Sequence, residues 1–144
     1  MSKPLTEGKI LVTGAAGFVG RRLVPALRQA FSKAVIIEVR RKKHTSPDDT
    51  GNYQYCDLTD AVLTKQLIEQ QQPDCVINLA AISHIPTAFK LPELTWKVNL
   101  NGTLNLLNAL TANDQSCVFL QVGSSDCYGE AFTSGQALDE NSPF

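Results

Sequence analysis

The sequence has no large excess of acidic or of basic residues. Fourteen acidic residues stand against 13 basic ones among 144, and the formal net charge is -1. Proteins that gather nucleic acid or an anionic membrane surface present a positive field, which this composition does not supply. The one basic run, Arg40-Arg41-Lys42-Lys43, is local. We therefore expect no nucleic-acid partner.

Long apolar runs are also absent. No run approaches the roughly 20 residues that cross a bilayer. The amino end, MSKPLTEGKI, does not show the basic segment followed by an apolar one that marks an export signal. These absences predict a cytoplasmic protein with no membrane partner.

Paired cysteine motifs are missing too. Cys56, Cys75, Cys117 and Cys127 lie far apart, and no C-x-x-C pair of the kind found in zinc and redox sites occurs. We expect no metal site and no disulfide, and interpret the cysteines as small apolar residues of a reducing compartment. Cys127 lies beside a polar cluster and is the one expected to be partly accessible.

Short apolar runs alternate with longer amphipathic stretches along the chain. The runs predict strands over 10–12, 35–37, 53–56, 75–79 and 117–122. Because these runs are continuous rather than alternating, we expect strands covered on both faces, which are normally parallel. The amphipathic stretches predict helices over 18–31, 60–71 and 92–112, and the polar segment 40–52 predicts a surface loop.

This order of elements predicts an α/β fold. Strand, helix and strand in repetition form a doubly wound parallel sheet with right-handed crossovers. The apolar fraction of 43% is enough for one core, so residues 1–144 are expected to form one domain. Leucines at helical spacing mark the apolar faces of the last two predicted helices: Leu63, Leu67 with Ile68, and Leu100, Leu104, Leu107, Leu110.

Three glycines follow the first predicted strand in the stretch TGAAGFVG, residues 13–20. In a doubly wound sheet this turn and the helix after it bind a pyrophosphate. Gly14 is expected to permit a tight turn, Gly17 to let the backbone approach a phosphate, and Gly20 to let the helix pack closely. Phe18 and Val19 are expected to contact the cofactor as well. The alternative is a glycine turn with a purely structural role.

The spacing G-x-x-G-x-x-G resembles the short-chain dehydrogenase/reductase superfamily, and TGAAGFVG is similar to its extended branch of nucleotide-sugar epimerases, dehydratases and reductases. Four later segments resemble that branch in the same order: CDLTD at 56–60, NLAA at 78–81, NLNGTLNLL at 99–107 and GSSDCYG at 123–129. The resemblance implies a Rossmann-like sheet that binds NAD or NADP.

The resemblance also implies roles for particular residues in cofactor binding. Asp57 and Leu58 would flank the adenine ring. Leu79, Ala80 and Ala81 would lie beside the pyrophosphate and the nicotinamide ribose. The third predicted helix would carry a structural Asn and pack into a dimer interface, so the complete enzyme is expected to be a homodimer.

The segments NLAAISHIPTAF and SSDCYGE are most similar to the GDP-mannose 4,6-dehydratase group and the related GDP-6-deoxy-lyxo-hexulose reductases. The resemblance implies a nucleotide-sugar substrate, with Ser124 in the place of the catalytic Ser or Thr. Asp126 stands where the dehydratases carry Glu, which favours a reductase because the shorter side chain reaches less far. Ser125 and His84 would line the sugar pocket, although His84 is equally compatible with a surface loop.

The choice between NAD and NADP depends on the end of the second strand. If Glu38 is at the tip, it would accept from a ribose 2′-hydroxyl and favour NAD. If Arg40 and Arg41 are at the tip, they would pair with a 2′-phosphate and favour NADP. Relatives in the group often have Arg here, so the prediction is NADP with Arg40 as its ligand.

The Tyr-x-x-x-Lys pair on which catalysis in the superfamily depends is absent. None of Tyr53, Tyr55 and Tyr128 has Lys four residues on. The family places the pair further beyond its active-site serine than Phe144. We therefore expect a Rossmann domain incomplete at its carboxy-terminal side, truncated before that helix and the substrate domain, and inactive by itself. A non-catalytic dinucleotide-binding module or sensor is the alternative.

Overall fold

The apolar runs of the sequence form one five-stranded sheet in the computed structural model, which describes residues 5–41, 53–113, 116–133, 135 and 137–142. The strands are β1 Lys9–Thr13, β2 Val35–Arg40, β3 Tyr53–Tyr55, β4 Cys75–Asn78 and β5 Val118–Gln121. Every pair is parallel, and the order is β3-β2-β1-β4-β5. The order reverses between β1 and β4, so the predicted doubly wound sheet is confirmed.

Five α-helices connect these strands in the described part of the chain. They are α1 Gly20–Ala30, α2 Ala61–Gln71, α3 Ile85–Lys90, α4 Pro92–Trp96 and α5 Gly102–Ala112. A π-helical turn, Lys97–Asn101, joins α4 to α5 without a break. After β5, a 3-10 segment, Ser125–Thr133, is interrupted at Gly129.

Two of these features differ from the sequence prediction. The single helix predicted over 92–112 contains the π-helical turn, which apolar spacing does not reveal. Helix α3 was not predicted at all, because six residues that include Pro86 carry too little periodicity. Leu91 separates α3 from α4 with φ -131° and ψ 61°, as expected for a residue before proline, whose ring disfavours the α conformation there.

The core consists of two layers, one on each face of the sheet. Side chains of successive strand residues point to opposite faces, so each central strand contributes to both layers. The layer beneath α2 and α5 contains Leu11, Ile37, Val39, Val76, Leu67, Ile68, Leu106 and Ala109. The layer beneath α1 contains Ile10, Val12, Ile36, Ile77, Val24 and Leu27. Burial on both faces explains why the strand sequences are apolar throughout.

The predicted leucine stripe of the last helix only partly faces this core. Helix α5 buries Gly102, Leu106 and Ala109. Leu110 also packs against the core, whereas Leu104 and Leu107 are 45% and 38% exposed, and Leu100 in the π-helical turn is 45% exposed. Three leucines of the stripe therefore remain partly uncovered among the described residues.

Exposure of the cysteines agrees with the sequence interpretation. Cys56 and Cys75 are buried, Cys117 is partly buried and Cys127 is exposed. The polar loop predicted over 40–52 begins later than expected, because Arg40 is the last residue of β2, and residues 42–52 lie outside the described part of the chain. Of the helices that the structure describes, none has both the length and the apolar character needed to cross a bilayer.

Candidate dinucleotide-binding site

A cleft of about 340 Å³ opens at the carboxyl ends of β1, β2 and β4. Eight of the eleven residues predicted to bind a cofactor line it: Gly14, Gly17, Arg40, Asp57, Leu58, Leu79, Ala80 and Ala81. The remaining lining residues are Ala16, Val39, Arg41, Cys56, Thr59, Ile82 and Val98. This is the edge of the sheet, at the reversal of strand order, where open α/β folds bind ligands.

Gly14 shapes the floor of the cleft. Its φ is 63°, and a Cβ there would lie 2.8 Å from the carbonyl carbon and oxygen of Leu79. Only glycine combines this left-handed conformation with such a close approach to the loop after β4. The N–H of Gly17 bonds the carbonyl of Gly14 at 2.9 Å and closes the turn. The expected tight turn at Gly14 is present.

The amino end of α1 begins at the far side of the same turn. A Cβ on Gly20 would come within 2.5 Å of the Ala15 carbonyl oxygen, so the helix packs directly on the turn as expected. The positive end of the helix dipole therefore lies beside the glycine turn that lines the cleft. Phe18 and Val19, at 89% and 54% exposure, project from the turn and are not among the lining residues.

A buried polar pair fixes the loop that follows β4. The Thr13 hydroxyl donates to Asn78 Oδ1 at 2.5 Å and accepts the N–H groups of Leu79 and Ala80, each at 3.2 Å. Asn78 Nδ2 donates to Gln121 on β5 at 2.8 Å. These bonds hold the backbone of the NLAA segment against the glycine turn.

The π-helical turn also holds the loop after β4 in place. Asn99 Oδ1 accepts the N–H of Ile82 at 2.7 Å, and Asn99 Nδ2 donates to the Ile82 carbonyl at 3.2 Å. A side chain thus pairs with the loop backbone as a neighbouring strand would. The same turn presents Val98 to the cleft. Val98 and Ile82 escaped the sequence analysis, since no local pattern signals a contact between segments 17 residues apart.

Asp57 lines the cleft beside Leu58. Its carboxylate accepts the Thr59 N–H at 3.0 Å and the Thr59 hydroxyl at 2.8 Å. These bonds lower the pKa of Asp57, with smaller contributions from Arg41 and Lys97. Thr59 was not predicted as a site residue, although a threonine two positions after an aspartate is a common turn pattern.

The end of β2 places Arg40, and not Glu38, in the cleft. The Glu38 carboxylate is 6% exposed and pairs with Arg28 of α1 at 2.8 Å. Its second oxygen pairs with Arg40 at 3.2 Å. Arg40 and Arg41 line the cleft and Glu38 does not. Of the two arrangements considered from the sequence, the structure therefore presents the one with arginines at the tip.

The residues predicted to act on the substrate lie outside the cleft lining. Ser124, Ser125 and Asp126 follow β5 and are exposed, and the Ser124 hydroxyl accepts the N–H of Asp126 at 3.2 Å. His84 is exposed at the start of α3, with Nδ1 2.9 Å from the Thr87 hydroxyl. β4 and β5 run parallel, so both groups leave the sheet at the edge where the cleft opens.

The described residues fit a dinucleotide. A Cβ on Gly17 would come within 3.1 Å of the Gly14 carbonyl oxygen, a tight contact, so a glycine at this position keeps the turn open to a ligand. Leu58, Ile82 and Val98 supply apolar walls, and two arginines supply positive charge at one end. Apolar walls with a few placed polar groups are typical of cofactor sites.

These features define a Rossmann-type dinucleotide-binding domain. Residues 10–144 match the model of the NAD dependent epimerase/dehydratase family. The chain belongs to this family, and the predicted resemblance is confirmed.

Individual relatives are similar over most of the chain. GDP-6-deoxy-D-mannose reductase of Pseudomonas aeruginosa is 34% identical over 92% of this chain and 39% of its own length. The structure of RMD from P. aeruginosa complexed with NADPH is 33% identical with a TM-score of 0.71, covering 95% of this chain and 42% of that one. L-threonine dehydrogenase of Clostridium difficile is 29% identical with a TM-score of 0.73, covering 85% and 38%.

The chain thus spans about two fifths of the length of the curated reductase that it matches, 39%. Family membership makes the expected cofactor an NAD(P) dinucleotide, and one similar structure holds NADPH.

Proposed function

We propose that this chain is the NADP(H)-binding part of a nucleotide-sugar reductase of the family. The observation that carries the proposal is the cleft, which brings the glycine turn, the loop after β4 and Arg40 together although they are remote in sequence. The similarity to a GDP-6-deoxy-D-mannose reductase supports a GDP-6-deoxyhexulose as the substrate, whose ketone is reduced to a hydroxyl.

Each part of the cleft has a role in this proposal. The turn at Gly14 and Gly17, with the amino end of α1, would hold the pyrophosphate. Leu58 and Asp57 would flank the adenine, and Arg40 would pair with the 2′-phosphate. Bound NADPH would supply the hydride.

The segment after β5 would act on the sugar. Ser124 would donate a hydrogen bond to the ketone oxygen, where negative charge develops as the carbonyl carbon is reduced. Ser125 and His84 would contact the sugar, and the short Asp126 would leave the carbon beside the ketone untouched. The reaction also needs a proton donor of the Tyr-x-x-x-Lys kind, which none of the 144 residues supplies.

We also propose that the complete enzyme is a homodimer that buries the leucine stripe. Leu100, Leu104 and Leu107 recur at intervals of four and three residues and are 45%, 45% and 38% exposed. An apolar face of this kind is typical of an interface between subunits.

Titration of the 144-residue chain with NADPH and NADH tests the cofactor proposal. Wild type should bind NADPH about tenfold more tightly, because a charge-assisted bond from Arg40 reaches only the 2′-phosphate. Arg40→Ala should remove this preference and leave the NADH dissociation constant unchanged. Arg22→Ala, an exposed arginine of α1, is the matched control and should keep the preference. Equal affinities of wild type for the two cofactors would contradict the proposal.

The reaction itself is tested on the full-length polypeptide that contains this chain. NADPH oxidation that depends on a GDP-6-deoxyhexulose, and is reduced about 100-fold or more by Ser124→Ala, is the expected result. Tight NADPH binding with no turnover of any nucleotide-sugar would instead favour the non-catalytic module.

A further inference from the structure

Glu38 is a buried carboxylate between two arginines. Its side chain is 6% exposed, with Oε1 2.8 Å from Arg28 and Oε2 3.2 Å from Arg40. Arg28 is on α1, whereas Glu38 and Arg40 are both on β2. Because they are two residues apart on one strand, the side chains of Glu38 and Arg40 point to the same face of the sheet, the face that α1 covers. A buried charge is costly unless it is paired, and each oxygen of this carboxylate has an arginine partner.

The Arg40 guanidinium is held on a second side by Tyr53. Its central carbon lies 3.5 Å from the centre of the Tyr53 ring. Tyr53 is on β3, directly opposite Glu38 in the register of the sheet. A guanidinium stacked on a ring keeps its N–H donors in the plane, where they can reach a carboxylate or a phosphate.

Arg40 is therefore restrained before any cofactor arrives. Its side chain is 18% exposed, while Arg28 at 45% reaches solvent. An arginine that is already in place loses less rotamer freedom when it binds a phosphate, and this preorganisation strengthens binding.

We infer that Glu38 and Tyr53 are positioning residues that make the cleft selective for a 2′-phosphorylated dinucleotide by holding Arg40. The inference rests on the proposed function, since it needs Arg40 as the phosphate ligand. An acidic residue near the tip of this strand ordinarily favours NAD by accepting from the 2′-hydroxyl. Here the Glu38 carboxylate faces α1 instead and favours NADP through its neighbour.

The test compares dissociation constants of the 144-residue chain for NADPH and NADH by isothermal titration. Glu38→Gln keeps the shape of the side chain and removes the charge that holds Arg40. This variant should have a dissociation constant for NADPH that is raised about fivefold to tenfold, and an unchanged dissociation constant for NADH. Tyr53→Leu should act in the same direction, whereas Tyr53→Phe, which keeps the ring, should bind both cofactors as wild type does.

Arg28→Ala is the matched control. It breaks the other ion pair of Glu38 but leaves the contact between Glu38 and Arg40 in place. We expect this variant to lose free energy of unfolding without a change in the ratio of its dissociation constants for NADPH and NADH. If Glu38 had only a structural role, Arg28→Ala and Glu38→Gln would have similar effects on the free energy of unfolding and on this ratio.

Failure of the inference differs from failure of the proposed function. If Arg40→Ala loses the preference for NADPH while Glu38→Gln and Tyr53→Leu keep it, or bind NADPH more tightly, the inference is wrong and the proposed function stands. If wild type shows no preference, the proposed function fails and the inference with it. Should Glu38→Gln not fold, the pair Tyr53→Leu and Tyr53→Phe decides the question alone.

Discussion

Gly14 is a single residue that tolerates no side chain without strain. Gly14→Ala would force a side chain into a φ of 63° and bring its Cβ within 2.8 Å of the Leu79 backbone. We expect a loss of about 3 kcal/mol in the free energy of unfolding, from conformational strain and overpacking together. Urea denaturation measures this. Gly123→Ala is the control, since a Cβ there meets nothing within 4 Å and the variant should be near wild type.

The raised pKa of the Cys117 thiol predicts that the protein loses stability at alkaline pH. Burial, with repulsion from Cys75 and Asp74, raises the pKa of its thiol from 9.0 to about 11. The folded state therefore favours the neutral thiol, and this stabilisation is complete below pH 9.0 and lost as the pH rises towards about 11. Cys117→Ser, which does not ionise in this range, should lose about 1 kcal/mol less in free energy of unfolding than wild type between about pH 8 and 10.5, about half of what the full pKa shift gives, because solvent screens a partly exposed thiol. Parallel pH profiles of the two proteins would contradict the prediction.

On the scale of secondary structure, the contact between the π-helical turn and the loop after β4 shapes the cleft. Asn99→Ala would remove two hydrogen bonds to Ile82, at 2.7 and 3.2 Å. We expect a loss of about 1 to 2 kcal/mol in the free energy of unfolding and weaker NADPH binding, because the loop backbone loses its partner. Denaturation and titration measure the two effects. Asn108→Ala, an exposed asparagine of α5, should change neither.

The elements also show where sequence patterns stop being informative. The glycine spacing correctly predicted the turn before α1, because the positive φ of Gly14 and the contact of Gly20 with Ala15 are set within a few residues, although the close approach of Gly14 to Leu79 is not. The π-helical turn has no such signal. Its Asn99 pairs with a loop 17 residues away, and only the packed structure brings the two together.

At the scale of the whole molecule, the uncovered strand β5 predicts association of the isolated chain. In the part of the chain that the structure describes, β5 pairs with β4 alone. Val118 and Leu120 are 55% and 51% exposed on one of its faces. An open edge with an apolar face is a template for pairing with other chains.

Sedimentation velocity of the isolated chain should therefore show species that grow with concentration. Val118→Lys with Leu120→Lys should suppress them, whereas Val62→Lys, an exposed valine of α2, should not. Leu104→Lys tests the separate dimer face and should abolish a discrete dimer without removing the larger species. A stable monomer of wild type at all concentrations would show that the β5 surface does not associate.

The sequence by itself determined the class of fold and the location of the cofactor turn. Apolar runs, helical periodicity and three spaced glycines are local properties of the chain, and local sterics and burial translate them directly into strands, helices and a turn. Eight of the fifteen residues that line the cleft were predicted, the glycines from their spacing and Asp57, Leu58 and the NLAA segment from the resemblance to the family.

Only the tertiary structure decided what the charged and polar side chains do. Glu38 and Arg40 were alternatives in the sequence, since both lie on the α1 face of β2 and nothing local says which of them reaches the cleft. The packed structure distinguishes the two residues, because Arg28 on α1 pairs with one oxygen of Glu38 and the ring of Tyr53 on β3 stacks on Arg40. Such partners come from different elements, and their contacts depend on how helices and strands pack rather than on the residues beside them in the chain.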